Sequence, residues 1–261
     1  MRENKIKTIW SNGGNVVNGW LAIPSSWSAE AMAHQGFDSL TVDMQHGLAD
    51  YQTAVTMLQA VSTTDVIPMA RVPWNEPGII MRMLDAGCYG IVCPMINTRA
   101  EAEQFVGACR YHPAGYRSAG PTRARIYSGG NYLEEANDVI LTFAMIETAQ
   151  AIENLEDILS VPGLDAVYVG PSDLSITLGV QGQFDSPPMK EALAYIADTA
   201  AKHGVVPGIH TSGPEFALKM LGIGYRFVTL TSDSAMMTQM AKQMVDETRA
   251  GQSSNDAGQL Y

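Results

Sequence analysis

Eight short apolar runs, each followed by a longer amphipathic stretch, recur along the chain, and this alternation limits its possible folds more than any other feature. The runs predict strands over residues 16–23, 39–43, 66–72, 90–96, 140–147, 166–170, 205–210 and 227–231. The stretches predict helices over 28–35, 51–62, 77–86, 99–111, 149–159, 188–203, 214–221 and 234–249. Runs such as GIVCPMI and TFAMIE are apolar almost without a break. A strand tolerates that when both faces are covered, as in a parallel sheet between helices. Such units fit a closed barrel or an open doubly wound sheet. Neither GxGxxG nor GxxxxGK[ST] follows any run, so the open sheet lacks its commonest ligand motif and no nucleotide cofactor is expected. The reading is α/β, a single-domain (β/α)8 TIM barrel, a fold of about 250 residues.

The barrel is expected to occupy residues 1–250, with 251–261 (GQSSNDAGQLY) as a flexible C-terminal tail. The longest break, residues 111–137, is rich in Gly, Arg and Tyr, and its length predicts a functional loop. Hydrophobic residues make up 46% and charged residues 16%, enough for a large core. The net charge of −11 and the scattering of 16 Lys and Arg argue against nucleic acid, which needs clustered cations. No run of about 18 apolar residues and no signal-like N-terminus occurs, so no membrane partner is expected. Cys88, Cys93 and Cys109 match no zinc spacing and read as buried thiols of a cytoplasmic protein.

In a barrel, residues just beyond the C-terminal ends of the strands converge on one mouth. Those ends carry Asp43-Met44-Gln45-His46, Arg71, Met145-Ile146-Glu147, Gly170-Pro171-Ser172-Asp173 and His210. Trp20, inside the first run, is a further candidate to line the mouth. Glu147 and Asp173 lie 26 residues apart, one strand–helix–strand period, so their carboxylates should sit on neighbouring strand ends. Two carboxylates with water suit Mg²⁺ or Mn²⁺, with Co²⁺ also admissible. Each acid could equally cap the start of a helix. Asp43 could orient the His46 imidazole as a base, or simply satisfy a turn. Arg71 is either a fixed cation for an enolate or carboxylate, or half of a structural ion pair. His210 either contacts substrate or packs in the core. The lysines (Lys5, Lys7, Lys190, Lys202, Lys219, Lys242) all avoid strand ends, so no Schiff-base lysine is expected and carbanion chemistry here would need a metal.

These strand ends resemble the HpcH/HpaI family of metal-dependent class II pyruvate aldolases from about residue 13 to residue 239. The resemblance rests on Asp43-x-x-His46, Arg71, Leu84-Asp85-x-Gly87 with Pro94-Met95, Arg110-Tyr111-x-Pro113-x-Gly115-x-Arg117, and Gly170-Pro171-Ser172-Asp173-Leu174-Ser175. It implies reversible cleavage of 4-hydroxy-2-oxo acids to pyruvate or hydroxypyruvate and an aldehyde. It implies metal ligation by Glu147 and Asp173, His46 as base, Asp43 as the acid orienting it, and Arg71 as the enolate-stabilising cation. The substrate carboxylate would rest on the backbone amides of Ser172 and Asp173. The resemblance also implies a homo-hexamer that exchanges C-terminal helices, with Asp85 matching an acid able to reach a neighbour's site. Gln45 and Met145 depart from the family, where a Glu precedes the catalytic His and a Gln stands two residues before the metal-binding Glu. Two alternatives are an acyl-CoA lyase of the malyl-CoA type and a non-catalytic barrel that binds small acids.

Overall fold

The computed structural model describes the backbone of residues 1–258 and side chains as far as residue 251. The chain runs through α1 (Lys5–Ser11), β1 (Val16–Leu21), α2 (Ser26–Ala33), β2 (Ser39–Asp43), α3 (Tyr51–Val61), β3 (Ile67–Arg71), α4 (Pro77–Asp85) and β4 (Gly90–Cys93). Then come α5 (Arg99–Cys109), α6 (Thr122–Ser128), α7 (Tyr132–Val139), β5 (Leu141–Ile146), α8 (Ala149–Glu153), α9 (Leu155–Leu159) and β6 (Ala166–Val169). Last are α10 (Pro171–Thr177), α11 (Pro187–Lys202), β7 (Val206–His210), α12 (Pro214–Gly222), β8 (Phe227–Ser232) and α13 (Asp233–Gly258). The eight strands are parallel and follow one another around a closed barrel, β8 pairing with β1. Every expected strand is present.

The strands are covered on both faces, as their unbroken apolar character requires. One apolar cluster fills the barrel interior, with Phe143 and Phe227 in contact at 4.9 Å between ring centres. A second lies between the strands and the surrounding helices. Each fully buried Phe contributes about 2 kcal/mol of transfer free energy, so the two inner rings bind the staves firmly. At the start of α5, Thr98 accepts from the Glu101 amide while Glu101 accepts from the Thr98 amide, a reciprocal cap that satisfies two otherwise unpaired donors.

Four features differ from the sequence reading. Residues before β1 form α1, whose Ile6 is fully buried and whose Trp10 packs on Phe143 and Phe227, closing the N-terminal end of the barrel. The helix expected over 149–159 is broken at Asn154, whose side-chain amide turns away to the Asn97 carbonyl. Residues 111–137 include α6 and the start of α7. This segment follows a helix, so within the chain it lies at the closed end, where Arg2 N–H bonds the Ser128 carbonyl. It is not a loop over the mouth. Finally, α13 continues to Gly258, into the stretch expected as a tail; residues 259–261 lie outside the described residues.

Candidate active site

At the C-terminal ends of the strands a cavity of about 320 Å³ opens, and Trp20, Asp43, His46, Arg71, Met145 and Glu147 contribute to its lining. Ser172, Asp173 and His210 close its far side with Tyr168 and Gly170. A larger depression of about 760 Å³ near Arg2, His34 and Asp65 holds none of the strand-end residues. Gln45 and Asp85 do not line the mouth. Asp85 ends α4 at the opposite end of the barrel, and its carboxylate is tied to Arg117 Nη2 at 2.6 Å.

Asp43 is 3% exposed and surrounded by donors. Arg71 Nε donates to its Oδ1 (2.8 Å) and Nη2 to its Oδ2 (2.6 Å). Trp20 Nε1 also donates to Oδ2 (3.2 Å), and the amides of Gln45 and His46 donate to Oδ1 (3.1 and 3.3 Å). Burial alone would raise this carboxyl's pKa, but the Arg71 bond and charge, with Trp20 and the Gln45 amide, bring it below its ordinary value. Among the described residues Asp43 makes no bond to the His46 ring; it holds His46 through the main chain, and the His46 side chain stands exposed at the rim. The carboxylate is occupied by Arg71, directly opposite it in the β2–β3 register.

Trp20 is the hub of the inner wall. Arg71 lies over its ring at 4.9 Å, Tyr168 stacks on it at 5.6 Å, and His210 meets it edge-on at 5.1 Å. Tyr168 escaped the sequence reading because its hydroxyl is embedded in the apolar run AVYV, and nothing in that run marks it as polar chemistry.

Glu147, 3% exposed, follows β5, and its Oε1 accepts from the Met95 amide at 2.8 Å. Met95 adopts φ 56°, a left-handed conformation uncommon for a side chain of its size, at the turn that presents this amide. Burial pushes the Glu147 carboxyl up to about 7; Asp173 adds to the push, and the Met95 amide and Arg71 partly offset it. Gly170 leaves room for it, since a Cβ there would fall 2.5 Å from Glu147 Oε2 and force a shift. Asp173 occupies the first turn of α10. The first amide of that turn bonded to a carbonyl is Leu174, to Gly170, which leaves the Ser172 and Asp173 amides at the helix start.

Two carboxylates, one buried and under-compensated, facing a common cavity, fit a divalent cation. Among the described residues no group of three or more His, Cys, Asp or Glu side chains is arranged to hold a metal. A two-carboxylate site would leave its other positions to water and substrate, as hard divalent ions allow.

The HpcH/HpaI aldolase/citrate lyase family model matches residues 19–239. The chain belongs to this family. It is 39% identical to a hydroxypyruvate/pyruvate aldolase of Rhizorhabdus wittichii over 249 residues, 95% of this chain and 99% of the relative. It is 35% identical to a 4-hydroxy-2-oxo-heptane-1,7-dioate aldolase of Escherichia coli over 245 residues, covering 93% of this chain and 94% of that one. In structure it is similar to an HpcH/HpaI aldolase/citrate lyase family protein from Burkholderia cenocepacia, with a TM-score of 0.88 and 31% identity over 94% of this chain and 99% of that one. Among the described residues no helix is long and apolar enough to cross a membrane.

Proposed function

We propose that Glu147 and Asp173 hold a divalent cation, Mg²⁺ or Mn²⁺ with Co²⁺ a further candidate, beside which the chain's own residues cleave and form a carbon–carbon bond. The chain is an aldolase, a carbon–carbon lyase acting on small molecules. It reversibly cleaves 4-hydroxy-2-oxo acids to pyruvate or hydroxypyruvate and an aldehyde. The observation that carries this reading is the buried Glu147 carboxylate, facing Asp173 and Arg71 across one cavity at the strand ends.

A bound cation would supply Lewis-acid polarisation of the 2-oxo group. The substrate carboxylate is held by the Ser172 and Asp173 amides at the start of α10. His46, at the rim, takes the proton of the C4 hydroxyl. As the C3–C4 bond breaks, its electrons move toward the 2-oxo oxygen and the aldehyde departs. Arg71 faces that oxygen with its fixed charge; the Asp43 pair uses Nε and Nη2, which leaves Nη1 to donate. The resulting enolate takes a proton at C3 and leaves as the 2-oxo acid. The reverse sequence builds the bond.

Beyond residue 236, α13 presents Met237, Met240, Met244 and Val245 to solvent. That apolar side supports a homo-hexamer in which this helix packs on a neighbouring copy, and light scattering would read the mass directly. The buried, unpaired cysteines support a cytoplasmic setting.

The test of the activity is pyruvate release from 4-hydroxy-2-oxo acids, together with solvent-deuterium exchange into pyruvate, with Mg²⁺, Mn²⁺ or Co²⁺ added. Glu147→Ala and Asp173→Ala should lose metal retention and activity together. Undiminished exchange after thorough chelation would end the metal assignment, and no cleavage with any of these metals would end the aldolase reading.

A further inference from the structure

A continuous run of hydrogen bonds crosses the largely apolar barrel interior and ends at the mouth. On β1, the Asn18 Oδ1 accepts from the Ser39 and Thr41 hydroxyls (2.8 and 3.1 Å), which directs its amide NH₂ to Thr229 Oγ1 at 3.0 Å. Thr229 Oγ1 also accepts from the Tyr168 hydroxyl at 2.8 Å. Asn18, Ser39, Thr41, Thr229 and Tyr168 are all fully buried. Burying that many polar groups is costly unless they are bonded, and each of these side chains has at least one hydrogen-bond partner.

A hydroxyl has one hydrogen and two lone pairs. Thr229 has filled both acceptor positions with Asn18 and Tyr168, and Tyr168 has used its only proton on Thr229. The Tyr168 oxygen can then only accept. Its remaining neighbour is His210 Nδ1, 3.0 Å away, and with the Tyr168 proton on Thr229 that contact closes only when the ring proton is on Nδ1. Burial, with the Arg71 charge and against the Asp43 charge, holds the imidazole near a pKa of about 4, so the ring is neutral around pH 7. Nε2 is then a bare acceptor. Trp20, edge-on to the ring, fixes its direction. His210 also lines an adjoining cavity of about 230 Å³ with Phe184, Phe216 and Ser212. His210 therefore lies between the carboxylate pocket and the space beyond it.

We propose that His210 determines substrate specificity: its bare Nε2 accepts a hydrogen bond from a substrate hydroxyl and so selects hydroxylated 2-oxo acids or hydroxyaldehydes over their deoxy counterparts. A methyl group in that position gains nothing from Nε2, and a carboxylate or carbonyl oxygen is repelled by it. This inference rests on the aldolase reading above.

Two measurements test it. In ¹⁵N-histidine-labelled protein, NMR reads the tautomer, with the His210 signal assigned by its loss in His210→Phe or His210→Gln. A protonated Nδ1 and bare Nε2 are expected; a proton on Nε2 would overturn the proposal. The second measurement is kcat/KM for hydroxypyruvate against pyruvate with one aldehyde, and for glycolaldehyde against acetaldehyde with one donor. In His210→Phe one of these two preferences should fall about threefold to tenfold, the worth of one neutral hydrogen bond. The ratio that falls identifies the partner carrying the hydroxyl. Both ratios unchanged in an active variant would refute the role. If the wild-type protein cleaves nothing, the aldolase reading fails, and the NMR result still decides the tautomer.

Discussion

Asp43 and Arg71 stand opposite each other in the register of β2 and β3, and their side chains close a two-point ion pair through Nε–Oδ1 and Nη2–Oδ2. The pair aims the guanidinium; Trp20 supports it from one face and bonds the same carboxylate. The guanidinium is thus held in place by the protein alone.

Asp43→Asn should cost activity and stability together. It replaces an acceptor of two charged bonds with a group that turns an N–H toward Arg71. We expect kcat/KM to fall on the order of 10²-fold through misplacement of the guanidinium, and stability to fall by about 2 kcal/mol. Steady-state kinetics and urea unfolding measure both. An unchanged kcat/KM would show that Arg71 needs no such anchor.

Gly170→Ala tests the tightness of the carboxylate pocket. The new methyl would meet Glu147 Oε2 at 2.5 Å and Met145 Cε at 3.2 Å. Glu147 must move, so half-maximal activation should require more metal and kcat should drop about 10²-fold. A Mn²⁺ titration followed by activity and by calorimetry reads the shift. An unaltered activation curve would mean that Glu147 is not a ligand.

The alternation of apolar runs made the barrel legible because unbroken strands have few other ways to be covered. Residues at strand ends were legible as a group for the same reason: the fold gathers them whatever their identity. What the linear pattern hides is pairing across staves. Asp43 is three residues from His46, which suggested a dyad, yet the partner of its carboxylate is Arg71, set by register. Tyr168 was hidden by its apolar neighbours, and α1 is too short for its periodicity to stand out. Residues 111–137 misled because length is visible in sequence while the end of the barrel a segment occupies depends on counting helices correctly.

His210 should give stability a distinctive pH dependence. Its folded pKa is lowered to about 4 from an ordinary 6.5, by burial first and then Arg71. Between those values the unfolded chain binds a proton that the folded chain refuses, so this group's contribution to stability declines as pH falls from about 6.5 to about 4. Glu147, raised to about 7, acts in the opposite sense and is common to both proteins compared. Urea midpoints at pH 7 and pH 5 should therefore fall less in His210→Phe than in the parent. Equal falls would mean that the imidazole is charged in the fold.

The three cysteines should be silent in the native protein. Burial pushes Cys88 and Cys109 up to about 12 and Cys93 well above its ordinary value. The thiolate is the reacting form. Ellman's reagent should therefore react slowly with the folded enzyme and rapidly with all three thiols in denaturant. A fast native thiol would mark an opening that the barrel does not display.

Ile6 and Trp10 cover the lower end of the barrel and side chains fill its interior, so solutes meet the strand-end cavity from the mouth. Everything that enters must leave the way it came, so depth becomes sequence in time. The molecule seated against Glu147 arrives first and departs last, and whatever sits above it has to clear the mouth beforehand. Product-inhibition kinetics would record this queue as an ordered mechanism.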